Sequence, residues 1–165
     1  MIPLIKLLVL DVDGTLTDGG VALDGIGGEW KRFDIQDGMG IVRLQKDGVE
    51  VALISGRHSD ATARRALELG IHAVVNGVGE KLPALEDLCR SRGFLPEEVC
   101  FVGDDINDIE CIRWSGLGVA VRNARLDVKA FADWITPSSG GYGAIRDVAD
   151  RIRTLNGGSH APKSV

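Results

Sequence analysis

The sequence has only three cysteines, few aromatic residues (four Phe, three Trp, one Tyr), no run of Lys or Arg, and no apolar stretch long enough to cross a membrane. Each shortage excludes a class. Cys89, Cys100 and Cys111 are odd in number and fit no metal-ligand spacing, so neither a disulfide framework nor a zinc site is indicated; they read as reduced packing cysteines of a cytoplasmic protein. Scarce aromatics leave no base-stacking platform, and a net charge of −5 with a pI near 5.2 argues against a nucleic-acid partner. The apolar start, Met1 to Leu10, contains Pro3 and Lys6 and runs straight into Asp11, which is too short for a signal sequence or a membrane span.

What is present is an alternation. Apolar, β-branched runs occur at Leu7–Leu10, Val49–Ile54, Ala73–Val75, Val99–Val102 and Leu117–Val121, with a weaker one at Trp134-Ile135. Such runs predict strands buried on both faces. Between them, Met39–Gln45, Ala61–Leu69, Leu82–Arg90, Asp108–Trp114 and Ala144–Leu155 carry apolar residues at helical spacing. Gly70 and Gly93 sit where helices end. The pattern predicts one α/β domain over residues 1–155, a Rossmann-like three-layer sandwich with a parallel sheet. Val21–Leu23 and Trp30–Ile35 flank the turn Asp24-Gly25-Ile26-Gly27-Gly28, which predicts a β-hairpin at about 20–36. Residues 156–165 are polar and predict a flexible tail. Trp30 and Trp114 are expected to pack.

Four polar signals fall at strand ends, where open α/β sheets bind ligands. Asp11-Val12-Asp13-Gly14-Thr15 brings two carboxylates together over a glycine curl. Their crowding suits a nucleophile beside a general acid/base. Ser55-Gly56-Arg57 offers a hydroxyl and a backbone N–H to a phosphate oxygen. Lys81 opens a helix, where its charge offsets several carboxylates. Gly103-Asp104-Asp105-Ile106-Asn107-Asp108 gathers three carboxylates that repel one another without a cation, and Mg2+ favours such oxygen ligands.

These motifs, in this order across nearly the whole chain, resemble those of the haloacid dehalogenase superfamily. The resemblance implies a Mg2+-dependent phosphatase with Asp11, Asp13, Ser55 and Lys81 catalytic. It implies Mg2+ held by Asp11, Asp104 and the backbone carbonyl of Asp13, with Asp105 and Asp108 orienting waters or Lys81. Forty-four positions separate Asp11 from Ser55 and twenty-six separate Ser55 from Lys81. Neither interval holds a cap domain beyond the hairpin. An open cleft of this kind suits a large substrate such as a phosphoprotein, or closure by neighbouring subunits.

Thr17-Asp18-Gly19-Gly20, Phe33-Asp34-Ile35-Gln36-Asp37-Gly38-Met39-Gly40-Ile41 and Gly140-Gly141-Tyr142-Gly143-Ala144-Ile145-Arg146-Asp147 favour closure, being similar to segments of the 3-deoxy-D-manno-octulosonate 8-phosphate phosphatase family. That likeness implies a cytoplasmic homotetramer acting in lipopolysaccharide precursor synthesis on a small sugar-acid phosphate. It implies substrate contacts from Asp34, Ile35, Gln36, Asp37, Gly38, Gly56, Arg57, Arg65 and Lys81. Guanidinium groups suit the substrate carboxylate. The chain departs from the family pattern at Gln36 and Val42, where arginine is expected, and at Asp147, where glutamate is. Arg57 favours the eight-carbon sugar acid over nine-carbon sialic-type phosphates. A broad small-molecule phosphatase is a further alternative. A phospho-receiver domain orders its acidic pair, phosphorylated Asp and Lys differently along the strands.

Overall fold

A computed structural model describes residues 4–157. Six parallel strands form the central sheet: β1 (Leu7–Leu10), β4 (Glu50–Ser55), β5 (Ala73–Asn76), β6 (Val99–Gly103), β7 (Leu117–Ala120) and β8 (Trp134–Ile135), in the order β5-β4-β1-β6-β7-β8. Two short strands, β2 (Ala22–Leu23) and β3 (Glu29–Trp30), pair antiparallel as a separate hairpin. The helices are α1 (Ile35–Lys46), α2 (Asp60–Glu68), α3 (Lys81–Arg92), α4 (Ile109–Trp114), α5 (Leu126–Lys129) and α6 (Ala144–Leu155). All four residues of β1 are fully buried, so both faces of the sheet are covered, as their unbroken apolar run requires.

Strand order makes the cleft. The chain builds outward from β1 through β4 to β5, then returns to lay β6 against the free side of β1. In register, Leu10 lies beside Leu53 of β4 and Val102 of β6, so the ends of the three strands stand level. Such a reversal opens a crevice beyond the carboxyl ends of the strands.

Helix α1 starts four residues before the predicted Met39, so the hairpin is shorter than expected. The Asp34 side chain accepts hydrogen bonds from the backbone N–H groups of Gln36 (2.7 Å) and Asp37 (3.1 Å), turning Ile35 and Gln36 into helix rather than strand. Glycines inside a helix normally cost about 1 kcal/mol each. Here Gly38 and Gly40 serve close packing. A Cβ on Gly38 would lie 2.6 Å from an Arg65 guanidinium nitrogen, and one on Gly40 would lie 3.1 Å from Ala149 of α6.

Trp30 is 73% exposed, against the packing role expected of it, whereas Trp114 packs on the core. The three cysteines are free and buried. Asn156, expected in the flexible tail, is bonded to both backbone groups of Ile5 (3.0 and 2.8 Å). The rest of the tail, from residue 158, lies outside the described residues.

Candidate active site

The end of β1 and the ends of its two neighbours deliver the site. Asp11 follows Leu10 directly, and its backbone N–H still bonds the Val102 carbonyl (3.0 Å). The chain then turns back on itself: Thr15, Leu16 and Thr17 all donate backbone N–H groups to the Val12 carbonyl. Gly14 takes a positive φ of 87° in this turn. A Cβ there would lie 2.1 Å from Asp104 Oδ2, so the glycine also lets the β1 loop meet the β6 loop. Asn123 braces the same loop from behind, donating to the Gly14 carbonyl (2.9 Å) and accepting from the Gly140 N–H (2.6 Å).

Lys81 sits at the back of the cleft with its side chain 1% exposed. Its ammonium donates to Asp11 Oδ1 (2.6 Å) and Asp108 Oδ1 (2.7 Å). Burial alone would lower its pKa, but the two carboxylates overcome that and hold it above the usual lysine value. Asp108 uses its other oxygen to accept the backbone N–H groups of Asp104 (2.9 Å) and Asp105 (3.2 Å). Both of its oxygens are thus committed to shaping the β6 loop and steadying Lys81.

Asp11 Oδ2 is buried and makes no hydrogen bond. Carboxylate oxygens of Asp11, Asp104 and Asp108 lie within 4.8 Å of one another. Burial, then the charge of Asp11, pushes the Asp104 carboxyl well above the ordinary range. Burial and Asp11 likewise raise Asp108, with Lys81 opposing. A buried orphan oxygen facing a second carboxylate that resists ionising is what a divalent cation relieves. With Asp108 already committed, Asp11 Oδ2 and Asp104 are the side-chain groups that fit Mg2+.

In front lies a cavity of about 260 Å³ lined by Asp11, Asp13, Ser55, Gly56, Arg57 and Asp104, with Val78, Gly79, Asp105 and Asn107 completing its wall. Ser55 is 1% exposed, and its Oγ exchanges hydrogen bonds with the Arg57 backbone, donating to its carbonyl (2.9 Å) and accepting from its N–H (3.3 Å).

Residues 68–146 match the family model described as haloacid dehalogenase-like hydrolase. The 3-deoxy-D-manno-octulosonate 8-phosphate phosphatase KdsC of Escherichia coli (strain K12) is 39% identical over 153 residues, which is 93% of this chain and 81% of that protein. The chain belongs to the haloacid dehalogenase-like hydrolases. Two solved structures of the family extend the likeness. The 3-deoxy-D-manno-octulosonate 8-phosphate phosphatase from Moraxella catarrhalis, in complex with magnesium ion, phosphate ion and KDO, is 38% identical at a TM-score of 0.91, covering 93% of this chain and 88% of that one. The cobalt-bound deoxy-D-mannose-octulosonate 8-phosphate phosphatase from Haemophilus influenzae is 37% identical at a TM-score of 0.90, covering 93% and 90%.

The cleft thus gathers most of the site residues expected from the family motifs: Asp11, Asp13, Ser55, Gly56, Arg57, Asp104 and Asp105 line it, with Lys81 and Asp108 behind. The segment Asp34–Gly38 and Arg65 are placed elsewhere. Arg65 donates to the Asp34 carbonyl (3.2 Å) and to Glu68 (3.0 Å). Ile35 and Gln36 face solvent. Asp37 is fully buried and accepts the Arg146 backbone N–H (2.9 Å) at the start of α6. That carboxylate therefore ties α1 to α6 and does not reach the cavity.

Two residues escaped the sequence reading. Asn107 lies within the acidic motif after β6, and its side chain comes 3.3 Å from where a Gly56 Cβ would be, across the cavity. Lys31, just after β3, places its ammonium 2.8 Å from Asp13 Oδ1. A lysine in a hairpin carries no local signal that separates it from a solvated one.

Proposed function

We propose that this chain is a Mg2+-dependent phosphomonoester hydrolase that converts 3-deoxy-D-manno-octulosonate 8-phosphate to the free sugar acid and phosphate, in lipopolysaccharide precursor synthesis. The observation that carries this reading is the buried, unpartnered Asp11 Oδ2, left for a cation because Lys81 occupies the other oxygen. Asp11, Asp104 and the backbone carbonyl of Asp13 would hold Mg2+, which when bound would supply the charge neutralisation that an anionic phosphate needs beside an anionic nucleophile.

Asp11 attacks phosphorus in line with the ester oxygen, forming an aspartyl-phosphate as the P–O ester bond breaks. Asp13 gives its proton to the departing alkoxide. It then takes a proton from the water that splits the aspartyl-phosphate, which restores Asp11 and releases phosphate. Ser55 Oγ–H and the Gly56 N–H steady the transferred group's oxygens, with Lys81 holding Asp11 in line. Arg57, 49% exposed at its side chain, stands at the cavity rim where the substrate carboxylate is read.

We assign the enzyme to the cytoplasm, in keeping with three free cysteines, and to a homotetramer. Leu23 (72% exposed), Ile26 (92%) and Trp30 support the tetramer: a hairpin this apolar suits burial between subunits. Ile35 (84% exposed) and Met39 (53%) lie one turn apart on α1, and the exposed part of the Asp34–Gly38 segment then serves a neighbouring subunit's cleft.

Phosphate release from the eight-carbon and nine-carbon keto-acid phosphates and from generic esters, with and without Mg2+, tests the substrate. Equal slow turnover of all three removes the specificity assignment. Asp11→Asn is expected to lose at least about 10³-fold in kcat, and full activity in that variant removes the mechanism. A monodisperse monomer by light scattering removes the tetramer.

A further inference from the structure

The hairpin carries an ionic arrangement that the reaction scheme above leaves unused. Side chains alternate across a strand. On the segment Glu29-Trp30-Lys31, Trp30 points to solvent while Glu29 and Lys31 point inward. The Lys31 side chain is completely buried. Its ammonium lies 2.8 Å from Asp13 Oδ1, 3.3 Å from Thr62 Oγ1 and 3.6 Å from Glu29 Oε1. Glu29 in turn pairs with Arg57, and the Ser59 hydroxyl and Arg57 hold its carboxyl below the ordinary range. One inward face of the hairpin therefore grips both the proton-transfer carboxylate and the arginine at the rim.

Burying an ammonium is costly unless it meets matched anions. Asp13 Oδ1 is itself buried and makes no conventional hydrogen bond, so the Lys31 charge is what the fold sets against it. With that oxygen held, the other oxygen of Asp13 is the one left to exchange a proton with the leaving group.

We propose that Lys31 is a positioning residue for Asp13: it fixes the acid/base carboxylate from the hairpin, so that hairpin placement and proton transfer are coupled. The proposal rests on the role given to Asp13 above. It gives the short hairpin a task in catalysis, since displacing β3 would release the acid.

The test compares Lys31→Met, Lys31→Arg, Asp13→Asn and the double variant Asp13→Asn/Lys31→Met, with near-ultraviolet circular dichroism and melting temperature confirming the fold. Two substrates separate the steps. The sugar-acid phosphate needs its leaving alkoxide protonated, whereas the phenolate of p-nitrophenyl phosphate leaves without a proton. Misplacing a catalytic group by about 1 Å costs on the order of 10²-fold, so Lys31→Met is expected to lose roughly that in kcat on the sugar-acid phosphate, with little change in KM. Its stopped-flow burst of nitrophenolate should stay within about 3-fold of wild type, while the following steady state slows, because hydrolysis of the aspartyl-phosphate also uses Asp13.

Lys31→Arg should recover most of the loss, and the double variant should be no slower than Asp13→Asn. Burst and steady state falling together, or additive losses in the double variant, would overturn the proposal in favour of a purely structural clamp. If Lys31→Met does not fold, Lys31→Gln replaces it in the same comparison. Full activity in Asp13→Asn would instead overturn the role of Asp13 itself, a result these assays distinguish from failure of the Lys31 proposal.

Discussion

Replacing Asp37 by asparagine changes how stability depends on pH, and the size of the effect follows from where the carboxyl sits. Burial pushes its pKa up from 3.8 to about 6, against the pull of the Arg146 backbone N–H. Between those values the folded protein holds a proton that the unfolded chain has released. Stability conferred by the protonated form is therefore present below pH 3.8 and is lost as the pH rises toward 6. A shift from 3.8 to about 6 corresponds to roughly 3 kcal/mol at 1.36 kcal/mol per unit. Asparagine does not titrate in this range. The free-energy difference between Asp37→Asn and wild type should thus move by about 2–3 kcal/mol in favour of the variant from pH 4 to pH 7, and be flat above that.

The absolute difference at one pH is less informative. Asp37 Oδ2 is buried and makes no hydrogen bond, so an amide nitrogen placed there adds a penalty of about 1–3 kcal/mol at every pH. Only the slope isolates the titration. Urea unfolding of both proteins at four pH values, read by tryptophan fluorescence, measures it. A difference that stays constant across the range, or moves against the variant, would show that Asp37 is ionised in the fold and that burial does not dominate.

Two other changes probe the cleft. Gly14→Ala places a methyl group 2.1 Å from Asp104 Oδ2 and strains a backbone at φ 87°; we expect at least about a 10²-fold fall in kcat, and calorimetry should show weaker Mg2+ binding. Lys81→Met leaves Asp11 and Asp108 facing each other without their shared cation. Loss of one partner from a buried ion pair costs about 3–5 kcal/mol, so thermal unfolding should show a clear destabilisation and phosphate release should cease.

The sheet was legible because strands buried on both faces leave unbroken apolar runs, and Leu7–Leu10 and Val99–Val102 are such runs. The acidic motifs that line the cleft were legible because each follows one of those strands directly, so finding the strand located the carboxylate. The start of α1 was not. Gly38 and Gly40 look like loop residues until Arg65 and Ala149 are seen to occupy the space they leave. The family likeness marks Arg65 as a substrate contact, and in this subunit its guanidinium turns to the Asp34 carbonyl and stacks 5.5 Å from the Phe33 ring. Lys31 could not be recognised at all, since its partner Asp13 lies eighteen residues away and only the hairpin's approach joins them.

The three buried cysteines have a chemical consequence. Burial raises the Cys89 thiol to about 11 and Cys111 to about 12, and raises Cys100 as well. With a pKa near 11, on the order of one Cys89 in ten thousand is a thiolate at neutral pH, and the thiolate is the reactive form. Peroxide, maleimides and oxidised glutathione therefore find no reactive thiolate among these three cysteines in the native fold. Thiol reactivity arises only when the fold opens around α3, β6 and α4, which makes these thiols a built-in record of how often the molecule unfolds.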